Sequence, residues 1–278
     1  MKLALTISTP NLEGQIPLTL MSGSFEEKLQ RAARLGYDGV ELLVLRPDAI
    51  DPRAIRDQVA GHGLEIAALA SGGIAAIEGL TLLAADTATG QRARARLMAL
   101  IDCAAQLGAP LVTLGSFRGR RAAITAGDGR AQLVEVLHQA AEHAARQGVR
   151  IALEPLNRYE TDLVTTVSEG LALLDELGHQ QVGLLVDTFH ANIEEPSLVG
   201  CLQEAAAAHR LWHVHIGDSN RLPPGGGHLD FAQITTTLRS LHYEGYLSAE
   251  LLARPDPNTA AIATIEVLRP LVPRHPRL

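Results

Sequence analysis

The stretch Ile151-Ala-Leu-Glu-Pro-Leu-Asn-Arg-Tyr-Glu-Thr-Asp162 begins as a short apolar strand and breaks at Pro155 into a run of polar groups. Two carboxylates, Glu154 and Glu160, lie in this run. A buried strand that ends in a cluster of charged groups is typical of a strand that lines a pocket at that end. We therefore expect other strands of the chain to deliver side chains to the same place.

Seven further short apolar runs are predicted as strands, at residues 3–8, 40–44, 64–69, 111–114, 182–186, 211–216 and 246–251. Helical patterns alternate with them, at about residues 24–35, 52–62, 86–107, 131–147, 168–177, 202–209 and 230–241. Apolar strands in alternation with helices indicate a parallel sheet covered by helices. Eight such units predict an α/β fold, a single (β/α)8 TIM barrel formed by residues 1–278 as one domain.

Composition excludes several classes of protein. A hydrophobic fraction of 46% supplies a large core, and a formal net charge of -7 argues against a nucleic-acid partner. No stretch is long enough to span a bilayer, and the apolar run at the N-terminus is too short for a signal peptide, so a cytoplasmic location without a membrane partner is expected. Cys103 and Cys201 are predicted to be buried free thiols.

Four consecutive predicted strands each end with a group that can bind a divalent cation. Strand five delivers Glu154, strand six Asp187, strand seven His215 and strand eight Glu250. The active sites of such barrels lie at these strand ends. Carboxylates with one imidazole suit manganese, magnesium or cobalt better than structural zinc. His213 faces the same side as His215, and we prefer His215 because it lies nearer the strand end.

A second set of polar residues follows three of these strand ends at a greater distance along the chain, and it comprises Glu160, His190 and Arg221. They supply a carboxylate, an imidazole and a guanidinium, which are groups that can hold hydroxyls and a carbonyl. We expect this set to contact a small-molecule substrate.

Three motifs carry a resemblance to a known family. Glu154-Pro-Leu-Asn-Arg-Tyr-Glu160, Asp187-Thr-Phe-His-Ala-Asn-Ile-Glu-Glu195 and His215-Ile-Gly-Asp-Ser-Asn-Arg221 resemble the D-tagatose 3-epimerase family. That family belongs to the xylose isomerase-like barrels, the sugar phosphate isomerases/epimerases. The motifs cover most of the C-terminal half closely, and a glutamate closing strand eight matches the same pattern.

The resemblance implies a carbohydrate epimerase, an isomerase that acts at carbon 3 of a ketose. It implies one divalent ion, Mn²⁺ before Mg²⁺ or Co²⁺, held by Glu154, Asp187, His215 and Glu250, and a substrate bound by Glu160, His190 and Arg221. The two glutamates of the metal site would act as acid and base through an enediolate. The chemistry is sound, because a cation stabilises the enediolate and inversion needs one base on each face. Family members also suggest a homodimer or homotetramer.

The first half of the chain departs from the family's sugar-binding pattern. Its loop Ser116-Phe-Arg-Gly-Arg-Arg121 carries three arginines, Arg118, Arg120 and Arg121, at the predicted active-site end. Arginines at this place are either a solvated basic loop or a site for an acidic sugar. The second alternative resembles the 5-keto-L-gluconate epimerase branch of the family, with a keto-sugar acid as substrate. Arg46 could serve similarly.

Three other functions remain as alternatives. An aldose–ketose or hydroxypyruvate-type isomerase would use the same enediol chemistry but deliver the proton to another carbon; the joint presence of Glu160, His190 and Arg221 favours an epimerase. An apurinic endonuclease of the same superfamily would need several metal ions and a basic face for DNA, which the acidic net charge disfavours. A non-catalytic sugar-binding barrel is disfavoured by the complete metal-ligand set.

Overall fold

Eight parallel strands close into a barrel in chain order in the computed structural model, which describes residues 1–12, 14, 16–124 and 128–273. The strands are β1 Lys2–Ser8, β2 Gly39–Leu43, β3 Glu65–Ala70, β4 Leu111–Leu114, β5 Arg150–Leu153, β6 Val182–Asp187, β7 Leu211–Ile216 and β8 Tyr246–Ala249. Strand β8 pairs with β1 and completes the ring. The predicted barrel is confirmed, and all eight carboxyl ends meet at one rim.

The strands are connected mainly by helices that pack on the outside of the barrel. These are α1 Phe25–Leu35, α2 Pro52–Gly61, α3 Gly72–Glu78, α4 Thr87–Leu107, α5 Gly129–Gln147, α6 Val167–Leu177, α7 Thr188–Glu194, α8 Leu198–Ala207, α9 Phe231–Ser240 and α10 Pro257–Leu271. Short 3₁₀ turns lie at Pro47–Ala49, Ser116–Arg118 and Arg121–Ala123.

The predicted helices begin and end at residues that cap them, as α1 illustrates. At α1 the Ser24 hydroxyl accepts a hydrogen bond from the Glu27 amide, while the Glu27 carboxylate accepts one from the Ser24 amide. This reciprocal pair satisfies two amides that the first turn of a helix leaves without partners. Gly36 ends α1 at a φ of 93°, a left-handed conformation that glycine adopts without a Cβ clash.

Three helices were not predicted from the sequence: α3, α7 and α10. Helix α3 starts with Gly72 and Gly73, which are poor helix formers, and the buried side chain of Ile74 anchors it. Helix α7 spans seven residues directly after β6, too few to show a periodicity of their own. Helix α10 does have a start signal, since Asp256 caps it and Pro257 occupies its first position.

The core has two parts. A small apolar cluster joins β3, β4, β5 and β6 and comprises Ala68, Leu111, Ala152 and Leu185. A much larger layer lies between the strands and the helices. Cys103 and Cys201 are buried free thiols, as predicted. Within the part of the chain that the structure describes, no helix combines the length and the apolar character needed to traverse a bilayer.

Candidate active site

Four side chains from consecutive strands converge at the carboxyl rim of the barrel: Glu154, Asp187, His215 and Glu250, which we call the candidate metal site. His215 Nδ1 lies 3.6 Å from Glu154 Oε1 and 3.6 Å from Glu250 Oε2. The same nitrogen lies 3.9 Å from Asp187 Oδ2. The positions match the fold, because Asp187 is the last residue of β6 and His215 the next-to-last residue of β7, while the other two residues directly follow β5 and β8.

The buried ligand atoms of this site fit a divalent cation. Glu154 Oε1, Asp187 Oδ2 and His215 Nδ1 are buried and have no hydrogen-bond partner among the described residues. Buried polar atoms without partners are costly, and three of them directed at one place would be satisfied together by a cation. Carboxylate oxygens and an imidazole nitrogen are ligands that Mn²⁺ and Mg²⁺ accept.

Glu41 of β2 determines which nitrogen His215 presents to the site. His215 Nε2 lies 3.1 Å from both carboxylate oxygens of Glu41, and His213 Nε2 lies 2.9 Å from one of them. A proton on Nε2 of His215 leaves Nδ1 as the free donor atom toward the carboxylates. The structure therefore places His215 beside the three carboxylates and His213 behind it, on Glu41.

Sequence reasoning missed Glu41 and Gly115. An acidic residue within the apolar run 40–44 was the available signal for Glu41, because a fully buried carboxylate requires a partner. Gly115 follows β4, and a Cβ built there would meet the Glu154 carboxylate. The sequence gives no sign of this close approach, which depends on the distance between two strand ends.

The pKa values of the two glutamates of the candidate metal site are shifted in opposite directions. Burial raises the pKa of Glu154, and the nearby His215 offsets this only in part. Burial also opposes ionisation of Glu250, but the charges of His215 and Arg221 outweigh it and lower the pKa of that carboxyl. For His215, burial opposes protonation, yet the charges of Glu41 and Glu250 hold its pKa well above the ordinary value.

The three predicted substrate contacts lie next to the candidate metal site. Arg221 Nη1 donates to Glu160 Oε1 at 2.9 Å, and Nη2 donates to Glu250 Oε2 at 3.4 Å. Its guanidinium also packs 5.0 Å from the ring centre of Phe189. Arg221 has a φ of 60°, in a loop held by the buried carboxylate of Asp218, which accepts hydrogen bonds from three backbone amides.

His190 is oriented from behind by Asn157. The Asn157 side-chain amide lies 2.7 Å from His190 Nδ1, and the Asn157 backbone amide donates to the same nitrogen at 3.2 Å. These contacts place the proton of a neutral His190 on Nε2. That nitrogen lies 3.5 Å from Arg221 Nη2 and 3.9 Å from Glu154 Oε1, so the imidazole faces the site.

The two carboxylate oxygens of Asp187 have different roles. Oδ1 accepts hydrogen bonds from the amides of Phe189 at 2.7 Å and His190 at 3.4 Å, and so caps helix α7. Oδ2 faces His215 in the candidate metal site. The residue that ends β6 thereby also fixes the start of the helix that carries His190.

The arginines in the loop after β4 differ in their surroundings. Arg118 is fully buried and donates to the carbonyl oxygens of Gly115, Glu154, Leu163 and Val164. Burial lowers its pKa to about 10, against the charges of Glu154 and Asp162. The interpretation of Arg118 as an anion-binding or solvated residue is therefore wrong.

The other arginines that the sequence suggested as ligands of an acidic sugar differ in where they lie. Arg120 lines the cavity, and its Nη2 donates to the Tyr159 carbonyl at 2.6 Å. Arg121 is exposed, and its backbone amide is bound by Asp162. Arg46 is exposed and does not line the cavity. Among Arg46, Arg118, Arg120 and Arg121, Arg120 is the one whose residue lines this cavity, together with Arg221 of the predicted substrate contacts.

A cavity of about 500 Å³ opens above the candidate metal site. Glu154, Glu250, Glu160 and Arg221 line its inner part. Its outer part is lined by the segment around Pro17 and by helix α3. The volume is in the range of roughly 300–1,000 Å³ that is usual for small-molecule sites.

The closed (β/α)8 barrel agrees with the family comparison: the chain belongs to the xylose isomerase-like TIM barrel family, whose model matches residues 29–271. The chain is 35% identical to L-ribulose 3-epimerase of Methylomonas sp. (strain DH-1), over 79% of this chain and 75% of that protein. It is 31% identical to ketose 3-epimerase of Arthrobacter globiformis, over 78% and 74%.

Among solved structures, D-allulose 3-epimerase from Methylomonas sp. in complex with D-allulose superposes with a TM-score of 0.76 at 27% identity. The match covers 97% of each chain. The similarity therefore extends over the barrel and is not confined to the C-terminal motifs. These relatives confirm the prediction of an isomerase of the carbohydrate epimerase type.

Proposed function

We propose that the chain epimerises a ketose or keto-sugar acid at carbon 3, with one divalent cation, Mn²⁺, held by Glu154, Asp187, His215 and Glu250. The observation that carries this proposal is the convergence of three buried, unpartnered ligand atoms beside the substrate-type residues. The names of the relatives support the reaction type. A neutral ketose is favoured over a sugar acid, because Arg118 is buried, Arg221 is already paired with two glutamates, and Arg120 already donates to the Tyr159 carbonyl.

Epimerisation requires that the proton on carbon 3 become more acidic and that a base lie on each face of that carbon. The cation would supply the positive charge that acidifies the proton beside the carbonyl. Glu154 and Glu250 follow β5 and β8, the two outermost strands of the four that build the site. We assign proton removal to one of these glutamates and proton delivery to the other. Glu160, His190 and Arg221 would hold the hydroxyls and orient the carbon between them.

The test is a panel of ketohexoses and ketopentoses, with their keto-acid analogues, incubated in heavy water with the protein loaded with Mn²⁺, Mg²⁺ or Co²⁺. NMR should show deuterium at carbon 3 of the product while the carbonyl stays at carbon 2. Glu154→Gln and Glu250→Gln should each abolish exchange, whereas the exposed Glu142→Gln should retain it. Turnover that keeps the substrate hydrogen at carbon 3 would contradict the proposal, and a carbonyl moved to carbon 1 would identify an aldose–ketose isomerase.

A further inference from the structure

Lys28 on α1 is a buried cation that has no counter-charge among the described residues. The residue is 6% exposed, and its ammonium donates to one neutral group, the Ser8 hydroxyl, at 2.6 Å. Burial lowers the pKa of Lys28, and no carboxylate of the described chain opposes this effect. An ammonium group can donate three hydrogen bonds, so two of them have no acceptor in the part of the protein that the structure describes.

Other cations of the molecule are satisfied by the protein itself. Arg118 is fully buried but donates to four backbone carbonyls, and Arg221 pairs with two glutamates. Lys2 is much more exposed than Lys28 and still pairs with Glu65, at 2.6 Å. A buried charge is costly unless it is paired, because it has lost the water that solvated it. An anion bound at Lys28 would relieve this cost.

Lys28 lines a cavity of about 450 Å³ between the end of β1 and the start of α1, which we call the β1–α1 cavity. Thr9, Ser22, Ser24 and Phe25 also line it. Hydroxyl groups and the first turn of a helix therefore surround a space that contains a buried cation. The first turn of a helix carries the positive end of its dipole, which favours a ligand of the same sign as Lys28 does, an anion.

Two other charged side chains of α1 contact residues that line the β1–α1 cavity, and both have partners there. The Glu27 carboxylate accepts hydrogen bonds from the Ser24 amide at 2.8 Å and from the Ser24 hydroxyl at 2.9 Å. Arg31 Nη1 donates to the Ser22 carbonyl at 2.9 Å. Neither side chain forms an ion pair with Lys28, so the charge of its ammonium is left for a ligand.

The β1–α1 cavity is separated from the cavity above the candidate metal site by residues 16–21. Thr19 lines both cavities, and its Oγ1 donates to the Ile16 carbonyl at 2.8 Å. Leu18 lines the cavity above the metal site and Met21 lines the β1–α1 cavity, with φ values of 62° and 66° that are uncommon for bulky residues. A ligand at Lys28 would therefore lie behind the segment that faces the sugar.

We propose that the β1–α1 cavity binds a small oxyanion, the phosphate or carboxylate group of a metabolite, with Lys28 as its cationic centre. The ammonium would donate to the oxyanion while it keeps its hydrogen bond to the Ser8 hydroxyl. An oxyanion supplies both the acceptors and the negative charge that Lys28 lacks, whereas a water molecule supplies acceptors alone. The site goes beyond the proposed epimerisation, to which neither Lys28 nor Ser8 is assigned.

The test follows the Lys28 ammonium directly, since the chain has two lysines, Lys2 and Lys28. In Mg²⁺-loaded protein that carries ¹³C-labelled lysine, NMR records the two Cε resonances against pH, with and without inorganic phosphate, and Lys2→Arg assigns them. Phosphate should raise the pKa of Lys28 by about 1, which corresponds to tenfold tighter binding to the charged amine. Lys2 is the internal control, because its ion pair with Glu65 lies elsewhere and its pKa should not change.

A matched pair of variants locates the bound anion. Lys28→Met removes the charge at similar side-chain length, and Lys2→Met makes the same change at the more exposed lysine. Calorimetric titration with phosphate should show binding at least about tenfold weaker in Lys28→Met and unchanged in Lys2→Met. Phosphate binding that Lys28→Met leaves intact would lie elsewhere, as on the Mg²⁺ ion, and would overturn the inference. An unchanged pKa of Lys28 at about 10 mM phosphate would also overturn it.

Two three-carbon compounds distinguish the two kinds of oxyanion. Glycerol 3-phosphate presents a phosphate group and glycerate presents a carboxylate group. The compound that raises the pKa of Lys28 further identifies the class of ligand, and a pKa that neither compound raises would overturn the inference. These measurements do not depend on sugar turnover, so they stand whether or not a ketose exchanges deuterium at carbon 3.

Discussion

Glu41 is fully buried in β2 and bridges two imidazoles, those of His213 and His215. Its role in the proposed site is to position another residue, since it contacts His215 on the side away from the carboxylates. Carboxylates placed in this way behind a metal-bound histidine fix the ring orientation and raise the basicity of the ligand nitrogen. Glu41 on β2 reaches His213 and His215 on β7 across the barrel interior.

Replacement of Glu41 by glutamine should therefore weaken cation binding by about 10- to 100-fold. The amide keeps the size of the side chain but removes the charge that stabilises the ligating form of His215. Calorimetric titration of the cation-free protein with Mn²⁺ measures the effect independently of turnover. Glu142→Gln, an exposed glutamate on α5, is the matched control. Equal Mn²⁺ affinity in the Glu41→Gln variant and in the wild type would show that the contact has no influence on the site.

At the residue scale, the sequence predicted which side chains come together but not what supports them. The four residues of the candidate metal site were foreseeable, because each lies at the carboxyl end of one strand of a barrel whose strand ends share a rim. Glu41 was not foreseen, since its partners are more than 170 positions away along the chain. Gly115 was not foreseen either, because its importance depends on the space left by Glu154.

Among the secondary-structure elements, the loops after β4 and β5 are joined by one side chain. Arg118, in the turn Ser116–Arg118, donates five hydrogen bonds to backbone carbonyls, one of them that of Glu154 at 2.6 Å. The first ligand of the candidate metal site is thus held by its main chain as well as by strand β5. The arginine acts on the site through the loop and not through contact with a ligand.

Arg118→Met should lower the free energy of unfolding by at least about 3 kcal/mol, because buried acceptors left without donors cost roughly 1–3 kcal/mol each. Urea unfolding followed by circular dichroism measures the loss. Arg46→Met, at an exposed arginine, should stay within about 0.5 kcal/mol of the wild type. Wild-type stability in Arg118→Met would show that the hydrogen bonds to the carbonyls do not stabilise the fold. A ligand-binding role for this arginine would then have to be considered again.

Most long helices were predictable from their own sequence, whereas the short helices α3 and α7 and the 15-residue helix α10 were not predicted. Helices such as α1, α4 and α5 carry caps and an apolar face in their own sequence. Helices α3 and α7 have seven residues each; Ile74 packs α3 onto the core, and Asp187 caps α7. Helices this short depend on packing for their stability and are too short to show a periodicity of their own.

For the molecule as a whole, a cation in the proposed site would bind together β5, β6, β7 and β8, one half of a closed barrel. The unfolded chain does not preserve such a constellation, so cation binding is linked to folding. The homodimer or homotetramer suggested by the family resemblance stays a prediction.

Addition of Mn²⁺ to chelator-treated protein should accordingly stabilise the fold, by about 2.7 kcal/mol at a concentration 100-fold above the dissociation constant. For a chain of this size that corresponds to an increase in Tm of very roughly 5–10 °C. Differential scanning calorimetry with and without the cation measures it. Asp187→Asn should lose most of the increase, whereas an increase of the same size in that variant would locate the bound ion elsewhere.

The barrel itself was predictable at this scale because alternation, strand number and chain length all agree with it. The cavity was not, since its lining combines residues 16–18 with helix α3, which was not predicted. Its shape depends on how two connections after different strands pack beside each other, and no local pattern in either segment records that.

The divided role of Asp187 has a thermodynamic consequence. One oxygen faces the candidate metal site, and the other caps the helix that carries His190. Cation occupancy and the orientation of His190, the imidazole proposed to bind the sugar, would then depend on the same carboxylate, so the two ligands should bind cooperatively. Linkage is reciprocal, and a bound sugar would tighten the hold on the cation by the same factor by which the cation tightens the hold on the sugar. The protein would therefore exchange its cation most readily between turnovers.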